Sequence, residues 1–112
     1  MSLELNNGRF YTGEVDPAML PNGFGKELYP SGEILYKGQF KHGKREGQGT
    51  FYYESGRAGY TGKFKADFMH GPGLLFYQDS GQLLFNGTMF EGNFKEGNLF
   101  FQNGTLSEKL LE

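Results

Sequence analysis

The chain contains no cysteine, so disulfides and thiolate metal sites are excluded and nothing about redox compartment follows from the composition. Proline is scarce, with 4 residues in 112. No segment approaches the roughly 18 consecutive apolar residues of a transmembrane helix. The opening stretch "MSLELNNGRFY" lacks the apolar centre of a signal peptide, and a cytoplasmic location is the expectation. Histidine occurs only at positions 42 and 70, and the carboxylates are scattered.

What the chain has is glycine and aromatic rings: 19 Gly, 12 Phe and 7 Tyr. Glycine at this frequency usually signals disorder or a fibrous repeat. Aromatics at 17% argue against disorder, because disordered chains are depleted in them. The two residue types recur together. Gly25, Gly49, Gly73 and Gly97 are evenly spaced, and Tyr29, Tyr53, Tyr77 and Phe101 follow at the same interval. Each of these aromatics leads into a glycine-bearing turn: "YPSGE", "YYESGR", "YQDSGQ", "FQNGT". After the turn come Tyr36-Lys-Gly38-Gln-Phe40, Tyr60-Thr-Gly62-Lys-Phe64 and Phe85-Asn-Gly87-Thr-Met89, with Tyr11-Thr-Gly13-Glu-Val15 as the same element near the start.

Within each element the period is two. Ile34, Tyr36, Gly38 and Phe40 alternate with Leu35, Lys37, Gln39 and Lys41, which is the pattern of a half-buried strand. Short strands joined by Ser-Gly or Asn-Gly turns read as hairpins. Glycine inside a strand costs roughly 0.5–1 kcal/mol relative to Ala, so it needs a compensating reason. A missing side chain leaves a slot in which a neighbouring ring lies flat on the backbone. Gly38 and Gly62 are read as such slots. In the second strand of each unit, Phe51, Leu75 and Leu99 share a face with Tyr53, Tyr77 and Phe101, whereas Leu28, Tyr52, Phe76 and Phe100 point the other way. One row makes a core; the other, Tyr52, Phe76 and Phe100, is a candidate partner contact, because a contiguous exposed apolar row marks an interaction surface.

Tyr-x-Gly-x-Phe, a polar loop, Gly-x-Gly and a following aromatic resemble the MORN repeat, including the variant repeats of bacterial antitoxin-like proteins. The resemblance covers residues 9–104 through "YTGEV…NGFGKELYPSG", "YKGQFKHGKREGQGTFYYESG", "YTGKFKADFMHGPGLLFYQDSG" and "FEGNFKEGNLFFQNG". It implies an all-β fold: an elongated antiparallel meander of tandem hairpins with a period of about 24 residues, in the range of short structural repeats. About four repeats plus partial terminal units then form a single domain over 1–112. The resemblance implies no catalysis and no cofactor, and associates the chain with protein scaffolding, dimerisation and acidic phospholipids. Three departures stand out: an insertion at Asp16–Pro21, Met89 in an aromatic position, and a shifted fourth unit. "FEGNFKEG" matches "YKGQFKHG" better than "FNGTMFEG" does, so Asn86-Gly87 reads as a tight turn. "TLSEKLLE" reads as a cut-short first strand or a brief helix capped by Ser107.

The remaining motifs have ordinary readings. The Gly-x-Gly triplets precede strands, whereas a phosphate loop opens a helix. His42 and His70 occupy non-equivalent loop positions with no tight ligand constellation around them. Ser31, Ser55 and Ser80 each precede a turn glycine, the position of a turn former and not of a nucleophile. Charge is less even than the net −2 suggests. Residues 37–65 carry +5, residues 1–36 carry −3 and residues 66–112 carry −4. Lys37, Lys41, Lys44, Arg45, Lys63 and Lys65 are therefore candidate contacts for an anionic lipid surface, each worth roughly 1 kcal/mol there. Nucleic acid is disfavoured by the overall acidity, and no small-molecule substrate is indicated. Two unpaired edges are expected, near Leu3–Asn6 and Thr105–Leu110, as sites of self-association.

Overall fold

The period-two pattern becomes ten strands in the computed structural model, which describes residues 2–5 and 7–111. They are β1 (Ser2–Glu4), β2 (Phe10–Val15), β3 (Pro21–Leu28), β4 (Ile34–Lys41), β5 (Lys44–Tyr52), β6 (Ala58–Lys65), β7 (Phe68–Phe76), β8 (Leu83–Phe90), β9 (Asn93–Phe100) and β10 (Leu106–Leu110). Each pairs antiparallel with the next in one open sheet, an elongated body of 46 × 29 × 19 Å. There is no helix among the described residues, so Thr105–Leu110 takes the strand reading and not the capped-helix one.

Turn chemistry explains the two rims of the sheet. On one rim, His42-Gly43, Ala66-Asp67 and Glu91-Gly92 have positive φ at both positions, the two-residue geometry whose twist suits a hairpin. On the other rim, longer turns repeat one hydrogen-bond pattern, such as Tyr29 N–H to Glu33 O at 2.8 Å and Gly32 N–H to Tyr29 O at 2.8 Å. Ser31, Ser55 and Ser80 accept the N–H two residues on, as Asn7 and Asn103 also do, which makes them turn formers. Of the Asp16–Pro21 insertion, residues 16–20 fold into a loop of their own, with the Asp16 carboxylate accepting from Ala18 and Leu20 N–H, and Pro21 opens β3 opposite Val15.

The reading of Asn86-Gly87 as a turn is overturned. Both lie inside β8, where Asn86 pairs Leu74 and Asn98 and Gly87 pairs Gly73 and Gly97. The turn after Tyr77 closes on Gln82, against a closure from Tyr53 on Arg57, and the extra residue absorbs the phase shift.

Pairing partners on adjacent antiparallel strands share a face, and this sorts the sheet into rows. One row runs Leu3, Tyr11, Glu27, Tyr36, Phe51, Tyr60, Leu75, Phe85, Leu99, Glu108, each paired with the next. Two residues along the strands, Gly13, Gly25, Gly38, Gly49, Gly62, Gly73, Gly87 and Gly97 stand in continuous register. The rings of Tyr11, Tyr36, Tyr60 and Phe85 lie on this glycine row and are 0% exposed. A Cβ on Gly49 would sit 2.5 Å from Tyr36 Cε1, and one on Gly38 would sit 2.5 Å from the Gly49 Cα. The slot therefore belongs to the glycine pair: Gly49 carries the ring, and Gly38 lets the two backbones and the ring edge come together.

Between these rings stand others, edge to face. Phe40 packs on Tyr11 and Tyr36, both at 5.0 Å between centroids, and Phe64 packs on Tyr36 at 4.9 Å and Tyr60 at 5.2 Å. Met89 takes the matching place, buried among the same side chains. A single sheet thereby buries its core without a second layer. Hydroxyls complete it. Tyr11, Tyr36 and Tyr60 donate to the carbonyls of Glu14, Gln39 and Lys63, residues that bulges drop from the ladder with the following strand. At Phe85 no hydroxyl exists, and Thr88 stays in the ladder opposite Glu96. Tyr29, Tyr53 and Tyr77 donate to the carbonyls of Tyr52, Phe76 and Phe100, stitching each unit to the next.

Candidate partner-binding face

The face opposite the rings is open. Nearest the long-turn rim it carries the apolar pairs Leu28–Ile34, Tyr52–Ala58, Phe76–Leu83 and Phe100–Leu106. Tyr52, Phe76 and Phe100 are half-buried within it, so the row read from the sequence is one surface. Phe10, paired with Leu28, extends it to the N-terminal side.

Two residues inward lies a polar row: Thr12, Lys26, Lys37, Thr50, Thr61, Leu74, Asn86, Asn98, Lys109, each paired with the next. The Thr50 and Thr61 hydroxyls are 3.1 Å apart. Beyond it the glycine row raises no side chain on either face. The result is a groove of about 760 Å³ floored by Gly13, Gly25, Gly38 and Gly49. Lys26 and Lys37 flank the floor, and Phe24 and Tyr52 border it.

The six basic candidates do not form one cluster. Lys37 stands in the groove and Lys63 opposite Gln48 on the same face. Lys41 and Lys44 pair with each other at the short-turn rim, and Lys65 pairs there with Phe68. Arg45 is on the ring face: its guanidinium lies 5.8 Å from the Tyr36 ring centre and its Nε is 3.2 Å from Asp67 Oδ1. Phe68 and Phe90 are exposed on the short-turn rim, the second beside His70 at 5.1 Å.

Neither histidine gathers a metal set; among the described residues no group of three His, Asp or Glu side chains converges. His70 Nδ1 accepts the Glu91 N–H at 3.2 Å, repeating the roles of Asn22 under His42 N–H and Glu46 under Ala66 N–H. His42 Nδ1 lies 3.3 Å from Asp16 Oδ2. The Leu20 N–H above all, with His42 and the Ala18 N–H, holds the Asp16 carboxyl below its usual range against a smaller effect of burial. Desolvation pushes the Tyr36 hydroxyl strongly upward, and those of Tyr11 and Tyr60 upward as well.

A carboxylate in the ring row escaped the sequence reading. Glu27 occupies the place of Phe51, Leu75 and Leu99 and is buried, with Arg9 Nη1 at 3.0 Å from its Oε2. The signal was present in the numbering, since positions 27, 51, 75 and 99 are evenly spaced at the repeat interval.

Hairpins of this register and spacing match one family model, the MORN repeat, at residues 20–34, 36–56 and 60–82. The chain belongs to the MORN repeat family. The β8–β9 unit lies outside the matched segments yet continues the glycine row without a break. MORN repeats are a non-catalytic module generally associated with protein or membrane interaction. A search of curated proteins found no match. Among the described residues no helix is long and apolar enough to cross a membrane.

Proposed function

We propose that this MORN array is a non-catalytic docking module that holds a protein partner on its open face. The observation that carries the reading is the apolar row Tyr52, Phe76 and Phe100 with its partners Ala58, Leu83 and Leu106: it lies outside the ring core and crosses the sheet. Half-buried aromatics in a row give a partner large contact area at low entropic cost. Self-association through the same row, or through the edges β1 and β10, is the version of this reading that needs no second protein. Part of the N-terminal edge, Asn6, lies outside the described residues. Sedimentation velocity at rising concentration tests it: a dimer that Phe76→Ser breaks favours the face, and one broken only by proline in β10 favours the edge. A monomer at every concentration whose capture of cellular proteins is unchanged by Phe76→Ser refutes the reading.

A peripheral membrane role has one specific observation in its favour. Lys41, Lys44 and Lys65 share the short-turn rim with exposed Phe68 and Phe90, a mixture of cations and rings suited to an anionic lipid surface. Co-sedimentation with anionic vesicles that weakens with salt, and that Lys41→Ser, Lys44→Ser and Lys65→Ser together remove, is the expected result. No sedimentation at low salt eliminates it.

A further inference from the structure

Lys26 and Lys37 are direct cross-strand partners on the open face. Like charges in that position repel. Neither ammonium has an ion-pair partner among the described residues. Glu14, on the strand next to β3, accepts the Phe24 N–H at 2.6 Å and forms no ion pair with either lysine. Thr12 and Thr50 flank the pair, so the groove presents hydrogen-bonding groups and two unneutralised cations beside the apolar pairs Leu28–Ile34 and Tyr52–Ala58. The complement of this surface is a body apolar along one line and acidic along the adjacent one.

The backbone decides the form of that body. A sheet directs its N–H and C=O groups sideways into the ladder, and its face offers an occupant no main-chain partners. An extended strand laid across this face would find no ladder partners for its own N–H and C=O groups, only the scattered side chains of the polar row. A helix satisfies its backbone internally and docks through side chains alone. Its geometry also fits: a helical turn advances about 5.4 Å, and neighbouring strands stand about 4.8 Å apart, so three or four turns stay in step with the rows. The lysine row and the apolar row lie two residues apart along the strands, about 6.8 Å, within the roughly 10 Å width of a helix.

From this we infer that the open face receives an amphipathic α-helix of the partner, lying across β3 to β7, with its apolar stripe on the Tyr52–Phe76 row and a border of Asp and Glu against Lys26 and Lys37. The inference rests on the reading of the open face as the partner surface and adds the partner's chemistry.

The test uses the full chain and three fluorescein-labelled peptides of about 18 residues, or about 27 Å when helical. One has a Leu stripe at helical spacing with Glu along its border; one has the same stripe with Lys along the border; one is a scramble of the Glu peptide. Fluorescence anisotropy reads affinity and circular dichroism reads helix gained. The expected result is that the Glu-bordered peptide binds best, gains helix and loses affinity with salt. Lys26→Glu with Lys37→Glu weakens it at least tenfold and makes the Lys-bordered peptide the better ligand. Lys41→Glu with Lys44→Glu, the same charge change on the far rim, leaves the ranking as it was. A scramble that binds as well, a ranking unmoved by the Lys26/Lys37 reversal, or no binding by any peptide at millimolar concentration overturns the inference. If the reversal does nothing while Phe76→Ser abolishes binding of every peptide, the acidic helix falls and the partner row stands.

Discussion

Adding one methyl group at Gly49 should destabilise this protein more than any conformational preference can account for. Gly49 has no positive φ to forbid a side chain, so the cost of Gly49→Ala is steric. The new Cβ would lie 2.5 Å from Tyr36 Cε1, where normal carbon contacts are about 3.5–4.0 Å. The ring has nowhere to go: it is fully buried, held at its edges by Phe40 and Phe64 and tethered by its hydroxyl to Gln39 O at 2.8 Å. Overpacking of this kind costs about 1–3 kcal/mol, and losing the hydroxyl bond adds about 1. Degrading the two ring–ring contacts adds about 1 more. Against this, Ala gains about 0.5–1 kcal/mol over Gly in a strand. The net expectation is a loss of about 3 kcal/mol, a large part of the ~5–15 kcal/mol that stabilises a typical domain. Urea unfolding followed by tyrosine emission reads it, tryptophan being absent. Gly32→Ala is the control: its φ is +95° with nothing within 4 Å, so only left-handed strain of about 1–2 kcal/mol applies. Combining Gly49→Ala with Tyr36→Leu should be clearly less than additive, because the truncated side chain vacates the clash. A Gly49→Ala protein as stable as the parent to within about 0.5 kcal/mol, the range of an inert surface change, or strict additivity in the double mutant, would refute the ring-in-slot account.

Three further expectations follow from the same rows. Arg9→Ala should cost about 2–3 kcal/mol, below the full value for a buried pair since Arg9 is 35% exposed; Arg9→Leu with Glu27→Phe should recover all of it or more, and a double variant less stable than Arg9→Ala would contradict the ion-pair reading. Tyr53→Phe and Tyr77→Phe should each cost about 1 kcal/mol in urea, since each deletes a bond between units and little else. Alkali should unfold the protein, because Tyr11, Tyr36 and Tyr60 have raised folded-state pKa values through desolvation. Their contribution is full below the unfolded tyrosine value of about 10 and is lost as pH rises from there towards the folded values, the folded state keeping protons that the unfolded chain releases. Phenolate absorbance and circular dichroism should therefore change together above that pH, and phenolate formation by all tyrosines with the sheet intact would refute it.

By itself the sequence determined the unit and its faces. The even recurrence of glycine and aromatics, the alternation in Ile34–Lys41 and the Ser-Gly turns are local signals, and local signals specify a hairpin and sort most side chains between its faces; the exception is the bulge at Leu35, which puts Leu35 in the core beside Tyr36 and leaves Ile34 paired with Leu28 on the open face. That is why Tyr52, Phe76 and Phe100 were legible as a common row. Who stands opposite whom is another matter. Register between strands depends on turn lengths and bulges, and one residue more or less moves every partner. The extra residue before Gln82 kept Gly87 in the glycine row where the motif alone suggested a turn. Arg45, grouped with the lysines by its charge, went to the ring face beside Tyr36. Glu27, polar in the sequence and unremarked, entered the buried row because its register position is that of Phe51, and Arg9 across the hairpin makes the burial tolerable. Lys26 and Lys37 belong to different strands with a turn between them, and they face each other only because β3 and β4 close in that register. Only the tertiary structure could decide these placements, since each is a relation between strands and not a property of any one of them.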